Sequence, residues 1–223
     1  MSWQTTAVYY QEINQHVRAR LGGVHSADIF IRSIDYADIA HMVSTEDFDN
    51  MIKMLCDRGQ ELKQSGAESL VLCANVAHKA YDALGKSTGL PVLHIVDSTA
   101  NKVVKAGHRK VGLLATRSVS EEDFYKSRLT NKYGLEVTVP DQKFLSQVDR
   151  FIFEELSKDV IAEDVKAEFH RAYTQLVDEH KVDCVVLACT ELRLVYTKDD
   201  FTVPTFETTA LHAQGIAEWA LQA

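Results

Sequence analysis

Little in this chain points to metal, membrane or nucleic acid. Its four cysteines, Cys56, Cys73, Cys184 and Cys189, include no C-x-x-C pair. A disulfide framework is therefore not expected, and a reducing compartment is. The nine histidines contain no His-x-x-x-His pair, so no metal site is predicted. No apolar run approaches the ~20 residues of a membrane span. The start, Met1-Ser-Trp-Gln-Thr-Thr, is polar and reads as the entry to a helix rather than as a secretion leader. Positive charge is also scarce: 24 Lys and Arg against 32 Asp and Glu leave a net charge of −8. That balance argues against nucleic acid or an acidic membrane surface as partner. A small anion stays open, because a few N–H groups and one basic residue can bind it. The expectation is a cytoplasmic chain of enzyme size.

What is present is ordinary in amount, with 46% hydrophobic and 25% charged residues, enough for one large core or two small ones. Its order is more telling. Strand-like runs at 28–33, 69–74, 91–96, 110–115, 135–139, 182–188 and 202–205 alternate with helix-like runs at 2–20, 45–64, 77–84, 98–106, 120–133, 143–157, 162–180 and 208–221. Such alternation predicts an α/β fold with parallel sheets. Ser44 and Ser118 are expected N-caps. Gly22, Gly66, Gly89, Gly107 and Gly134 are placed for helix C-termini. We expect two similar doubly wound domains, residues 1–97 joined by the helix 208–223, and residues 98–207, with the site at their interface. Opening on a helix is unusual for a doubly wound sheet, which normally begins with a strand.

Two strands run directly into a cysteine and short polar residues: Ser69-Leu-Val-Leu-Cys73-Ala74-Asn75 and Asp183-Cys-Val-Val-Leu-Ala188-Cys189-Thr190-Glu191. The carboxyl ends of parallel strands are where α/β proteins place their chemistry. Cys189, flanked by Thr190 and Glu191, is the leading candidate for a proton carrier or nucleophile, with its thiolate expected to gain from nearby helix N–H groups. Matching the two segments sets Ala74 opposite Cys189, and strand alternation sends Cys73 to the other side. Asn75 is a candidate carboxylate ligand. His78 reads equally as a proton-active group or as a buried histidine with its partners satisfied. Thr116, after the apolar strand 110–115, is a second anion contact, while Arg117 offers a fork to a carboxylate or is simply solvated. Glu207 and His212 form a third polar cluster, either supporting the thiol or acting as a cap and a core histidine. Cys56 and Cys184 read as core.

These residues resemble the aspartate/glutamate racemase family, in its broad-specificity amino-acid racemase branch. The likeness rests on Met1-Ser-Trp with Tyr9-Tyr10, Gly22-Gly23 with His25-Ser26, Ser33-Ile-Asp35 and Leu90-Pro-Val-Leu-His94-Ile. It continues through Thr116-Arg117 with Asp123-Phe-Tyr125, Ile152-Phe-Glu-Glu155, Cys189-Thr-Glu191, and Thr208 with His212. It implies a cofactor-independent isomerase, a homodimer, that moves the Cα proton of an aspartate- or glutamate-type amino acid through Cys189, with Cys73 or His78 covering the other face. Asn75, Thr116 and Thr190 match its binding positions, and Glu191 and Met1, the latter in its opening motif, join them as expected substrate contacts. Departures are plain: Ala74 stands where the first acid/base is usual, Val76 where a threonine is, and Val119 where a hydroxyl is, with Ser120 beside it. A leading strand before Met1 is also part of the family pattern. Two other outcomes follow from Ala74: a single-cysteine decarboxylase of malonate-like acids, or an inactive relic that binds a small carboxylic acid.

Overall fold

The computed structural model describes residues 2–156, 160 and 162–222. In chain order they form α1 (Trp3–Leu21), α2 (Tyr36–Ser44), α3 (Phe48–Gln64), β1 (Leu70–Val71), α4 (Tyr81–Thr88), β2 (Val92–Leu93), α5 (Ile95–Lys105) and β3 (Lys110–Ala115). They continue as α6 (Arg117–Glu121), α7 (Asp123–Ser127), β4 (Glu136–Thr138), α8 (Gln142–Leu145), α9 (Val148–Arg150), α10 (Glu163–Thr174), β5 (Cys184–Ala188), α11 (Leu192–Val195), β6 (Thr205–Glu207) and α12 (Thr208–Ala220). The chain divides into two units, Met1–Ile95 with Thr209–Ala223, and Val96–Thr208.

In the first unit, β1 and β2 pair in parallel with Leu70 opposite Val92. Helix α1 starts where Ser2 Oγ accepts the Thr5 N–H (3.3 Å). It buries Tyr9, Ile13 and Val17, which recur every fourth residue on one face. They pack with Ala213, Ile216 and Ala217 of α12. Helix α3 buries Met51, Leu55 and Gly59 at the same spacing, in a second cluster with Leu70, Leu72 and Leu84. Gly59 is where α3 comes closest to α4: a Cβ there would lie 2.4 Å from Leu84 Cδ1. Gly59→Leu is therefore expected to destabilise the protein by about 1–3 kcal/mol through overpacking, despite the helix propensity it gains. Thermal unfolding followed by circular dichroism checks this, and an unchanged midpoint would refute it. Helix α4 ends at Gly89, whose φ of 69° gives the left-handed C-cap.

The second unit holds a four-stranded sheet of order β4-β3-β5-β6, parallel throughout. All five residues of β5 are buried, as the unbroken run Cys184-Val-Val-Leu-Ala188 requires of a strand covered on both faces. Ala115 pairs with Ala188, and Leu187 with Glu207, so the carboxyl ends of β3, β5 and β6 lie side by side. Three helices of this unit run into π-helical turns, at Arg128–Lys132, Phe151–Glu155 and Gln175–Glu179.

Several expectations need correction. Residues 28–33 join no sheet among the described residues, despite their strand-like composition. The expected helix 45–64 is α3, starting at its Asp47 cap, and an unexpected helix precedes it: α2 starts at the Asp35 cap, whose side chain accepts the Ala37 N–H (3.0 Å). Ser44 thus ends α2 rather than capping α3, and Ser118 lies inside α6, whose N-cap is Thr116. The last strand is Thr205–Glu207, later than the 202–205 expected. Part of the expected helix 143–157 lies outside the described residues, as does Met1.

Candidate active site

In the second unit, β5 delivers Cys189 at its carboxyl end, and the chain turns at once into α11. The Leu192 N–H donates to the Cys189 carbonyl (3.3 Å) and the Leu194 N–H to that of Glu191 (2.9 Å). This tight turn folds Glu191 back over the thiol. Cys189 Sγ donates to Glu191 Oε2 at 3.0 Å, and Thr190 Oγ1 donates to the same oxygen at 2.7 Å. Cys189 is only 6% exposed. Burial pushes its thiol well above the usual range, and the Glu191 carboxylate adds to the push, opposed by a backbone hydrogen bond from Glu191. The expectation of a stabilised thiolate is thereby reversed. Burial, reinforced by a carboxylate two residues away, outweighs the few N–H groups of the four-residue α11, so Cys189 rests protonated.

On the neighbouring strand, Thr116 follows Ala115, the partner of Ala188. Its Oγ1 is buried and has no hydrogen-bond partner among the described residues, and the same holds for Ser120 Oγ one turn later. Buried hydroxyls are nearly always satisfied, so two unspent ones near a strand end mark a place built to receive an acceptor. The sequence noted Ser120 only as a neighbour of Val119; its burial was not legible. Arg117 turns away, pairing its Nε with Glu121 (2.8 Å) and donating its backbone N–H to Asp149 (2.8 Å). Glu207 closes β6, and the Thr208 hydroxyl donates to the Leu187 carbonyl (3.0 Å), tying β6 to β5. One group of metal-type ligands, His108, Asp183 and Cys184, lies at the opposite, amino end of β5.

The first unit holds the other predicted residues. Asn75 is buried and heads the 3-10 turn Val76–Ala80. His78 receives the Ile95 N–H on Nε2 (3.1 Å), so its proton sits on Nδ1, which donates to the Ala74 carbonyl (2.9 Å). Both ring nitrogens are engaged by backbone, which holds the ring neutral and in one tautomer. His94, to which the sequence assigned no role, packs against His78 with ring centroids 4.5 Å apart. His212 donates from Nε2 to the Leu93 carbonyl (3.1 Å) and meets the Tyr9 hydroxyl at Nδ1 (2.9 Å). It is a core strut joining α12, α1 and β2. Cys73 packs against the cluster of α1 and α12, whereas Ala74 packs against that of α3. Burial lifts the Cys73 thiol to about 11.

The fold and site together define a parallel α/β chain of the two-domain racemase type, with a cysteine at the carboxyl end of β5 in its second unit. The profile of the Asp/Glu/Hydantoin racemase family matches residues 1–216. This chain belongs to that family. It is 24% identical over 176 residues to the broad-specificity amino-acid racemase RacX of Bacillus subtilis, covering 75% of this chain and 71% of that protein. A crystal structure from Yersinia pestis, provisionally described as an Asp/Glu racemase, superimposes with a TM-score of 0.90 at 41% identity, covering 100% of this chain and 96% of the other. An aspartate racemase homologue from Pyrococcus horikoshii gives 0.81 at 28% identity, with coverage of 99% and 95%.

Proposed function

We propose that this chain is an amino-acid racemase-type isomerase that works without a cofactor and moves the Cα proton of an aspartate- or glutamate-type amino acid through Cys189. The observation that carries this reading is the Cys189–Glu191–Thr190 hydrogen-bond group at the end of β5, beside the unspent hydroxyl of Thr116. The Cys189 thiol gives up its proton to solvent, against the hold of Glu191, and the resulting thiolate takes the proton from Cα. The electron pair left on Cα spreads into the substrate carboxylate. Thr116 and Thr190 hold that carboxylate by hydrogen bonds that strengthen as charge develops. Returning a proton to Cα completes the exchange.

The test is a screen in heavy water. Aspartate, glutamate and neutral amino acids are incubated with the protein, and Cα deuterium is read by mass spectrometry. Incorporation into an acidic amino acid is expected; none into any amino acid would remove the proposal. Glu191→Gln supplies a second check. Without the carboxylate, Cys189 titrates at lower pH, seen as thiolate absorbance in the ultraviolet, and the rise of exchange with pH moves in the same direction. A titration unchanged by the substitution would show that burial alone sets the thiol.

A second reading has its own support. Cys189 rests as a thiol, Ala74 carries no transferable proton, and both nitrogens of His78 are engaged. One protonated thiol suffices for decarboxylation of a malonate-like acid: carbon dioxide leaves, its bonding pair stays on Cα, and the Sγ proton is delivered there. Release of carbon dioxide from substituted malonates, without exchange into amino acids, would favour this reading over the first.

A further inference from the structure

The amino end of β5 carries a cluster that the proposed chemistry does not use: His108, Asp183 and Cys184. It forms within the second unit, where β3 and β5 enter their sheet side by side. The Asp183 N–H donates to the Lys110 carbonyl (2.8 Å), and Val111 pairs with Cys184. That pairing sets His108, just before β3, beside the first residue of β5. No spacing in the sequence announces such a set, because parallel strands bring together residues that lie far apart in the chain.

Asp183 is oriented from behind. Its Oδ2 accepts the Arg109 and Lys110 N–H groups (2.9 and 3.1 Å). Desolvation pushes the carboxyl up, but those two N–H groups, with Cys184 and His108, bring it below its ordinary value. The other oxygen, Oδ1, faces His108 Nδ1 at 3.6 Å. That is too long for a hydrogen bond, and short of the roughly 4.5 Å that a bridging water sets between its partners. Neither ring nitrogen of His108 makes a hydrogen bond among the described residues. His78 and His212 differ, since both nitrogens of each are engaged. The His108 ring is nonetheless held, edge-on to Phe206 with centroids 5.7 Å apart. Buried Cys184 supplies the third donor, its thiol pushed up to about 12 by burial and by Asp183.

The three donor atoms lie within 4.8 Å of one another. Bonds of about 2.0–2.3 Å from a tetrahedral Zn²⁺ to N, O and S set ligand separations of about 3.3–3.7 Å. The gap of 3.6 Å already has that length, and the others close with side-chain shifts of no more than about 1 Å. Imidazole and thiolate select a borderline-soft ion over Mg²⁺ or Ca²⁺. The carboxylate and the thiolate bring two negative charges, which a divalent cation cancels, and binding releases the Cys184 proton to solvent. The geometry points to a Zn²⁺ site made by His108 Nδ1, Asp183 Oδ1 and Cys184 Sγ, with its fourth position open to water on the exposed side of Asp183. The ion clips the amino ends of β3 and β5 together. It takes no part in the chemistry at Cys189, which lies beyond the other end of β5, and its test uses no substrate.

The full chain is stripped with a chelator and titrated with Co²⁺, a spectroscopic stand-in for Zn²⁺. One equivalent is expected to give a sulfur-to-cobalt charge-transfer band in the near ultraviolet, which added Zn²⁺ removes by displacement. Cys184→Ser is expected to lose the band and Cys189→Ala to keep it. Calorimetric titration with Zn²⁺ is expected to show one site per chain, weakened by roughly tenfold or more in His108→Asn. Zn²⁺ should also raise the thermal midpoint of the wild-type chain more than that of this variant. Should Cys184→Ser unfold, His108→Asn, changed at a side chain near the surface, decides the matter through its affinity. Absence of the band, or of Zn²⁺ binding at roughly 100 μM metal, overturns the proposal. So does a band that survives Cys184→Ser or vanishes in Cys189→Ala, and so does an affinity unchanged in His108→Asn.

Discussion

Cys189→Ala is expected to lower Cα deuterium exchange by roughly 10²–10⁴-fold, the range that a positioned acid/base contributes. Cys189→Ser should fall nearly as far. It keeps a hydroxyl in the same place, but an alcohol in this buried setting beside Glu191 has no accessible anion at neutral pH. Both substitutions are small in a site already closed by Leu192 and Val195, so the fold survives and circular dichroism confirms it. Exchange within about threefold of wild type in both variants would show that sulfur is not the proton carrier, a difference of less than roughly 1 kcal/mol in the barrier. The pH dependence carries the same signature. A thiol held well above its usual range is mostly protonated at neutral pH. The thiolate fraction, and with it the exchange rate, therefore climbs about tenfold per pH unit until the thiol titrates.

Ala74→Cys carries the second large effect. Inversion at Cα needs a proton delivered from the face opposite the one that lost it, and a single carrier returns the proton to the same side. Ala74, the counterpart of Cys189 in the matched segments, offers no proton, and the Cys73 thiol beside it packs into the α1–α12 cluster. In the wild-type chain, exchange is therefore expected to outrun interconversion of enantiomers. Ala74→Cys should raise interconversion by roughly 10²-fold or more relative to exchange. Ala74 is half-buried against the α3 cluster, so one added sulfur is a modest packing change. Chiral chromatography of the product reads the result. Equal interconversion in wild type and variant would mean that another group already serves the second face.

The legible and illegible parts of the chain divide on physical grounds. Strand β3 was readable to the residue, because Val111-Gly-Leu-Leu-Ala115 is an unbroken apolar run between a lysine and a threonine. The start of β5 was placed two residues early, since Val182 is buried but lies outside the ladder. Residues 28–33 carry the apolar run Ile29-Phe30-Ile31 as a strand does, yet a strand exists only through a neighbour, and composition does not reveal whether one is present. Helix α2 was missed because its start depends on the single Asp35 cap. At the site, the identities of Cys189, Thr190 and Glu191 were readable, but their mutual geometry was not. Burial of Sγ, reinforced by the turn that folds Glu191 back onto it, reverses the charge state inferred from helix N–H groups alone. For His78 the chain left two roles open, and the Ile95 N–H decides for the neutral, engaged ring.

The carboxylate cap over Cys189 has a further consequence, for chemical durability. Alkylating agents and peroxides attack the thiolate, so a sulfur stored as its conjugate acid and screened from solvent ages slowly. Sluggish labelling by iodoacetamide would then be a property of a guarded reagent, and no argument that the residue is idle.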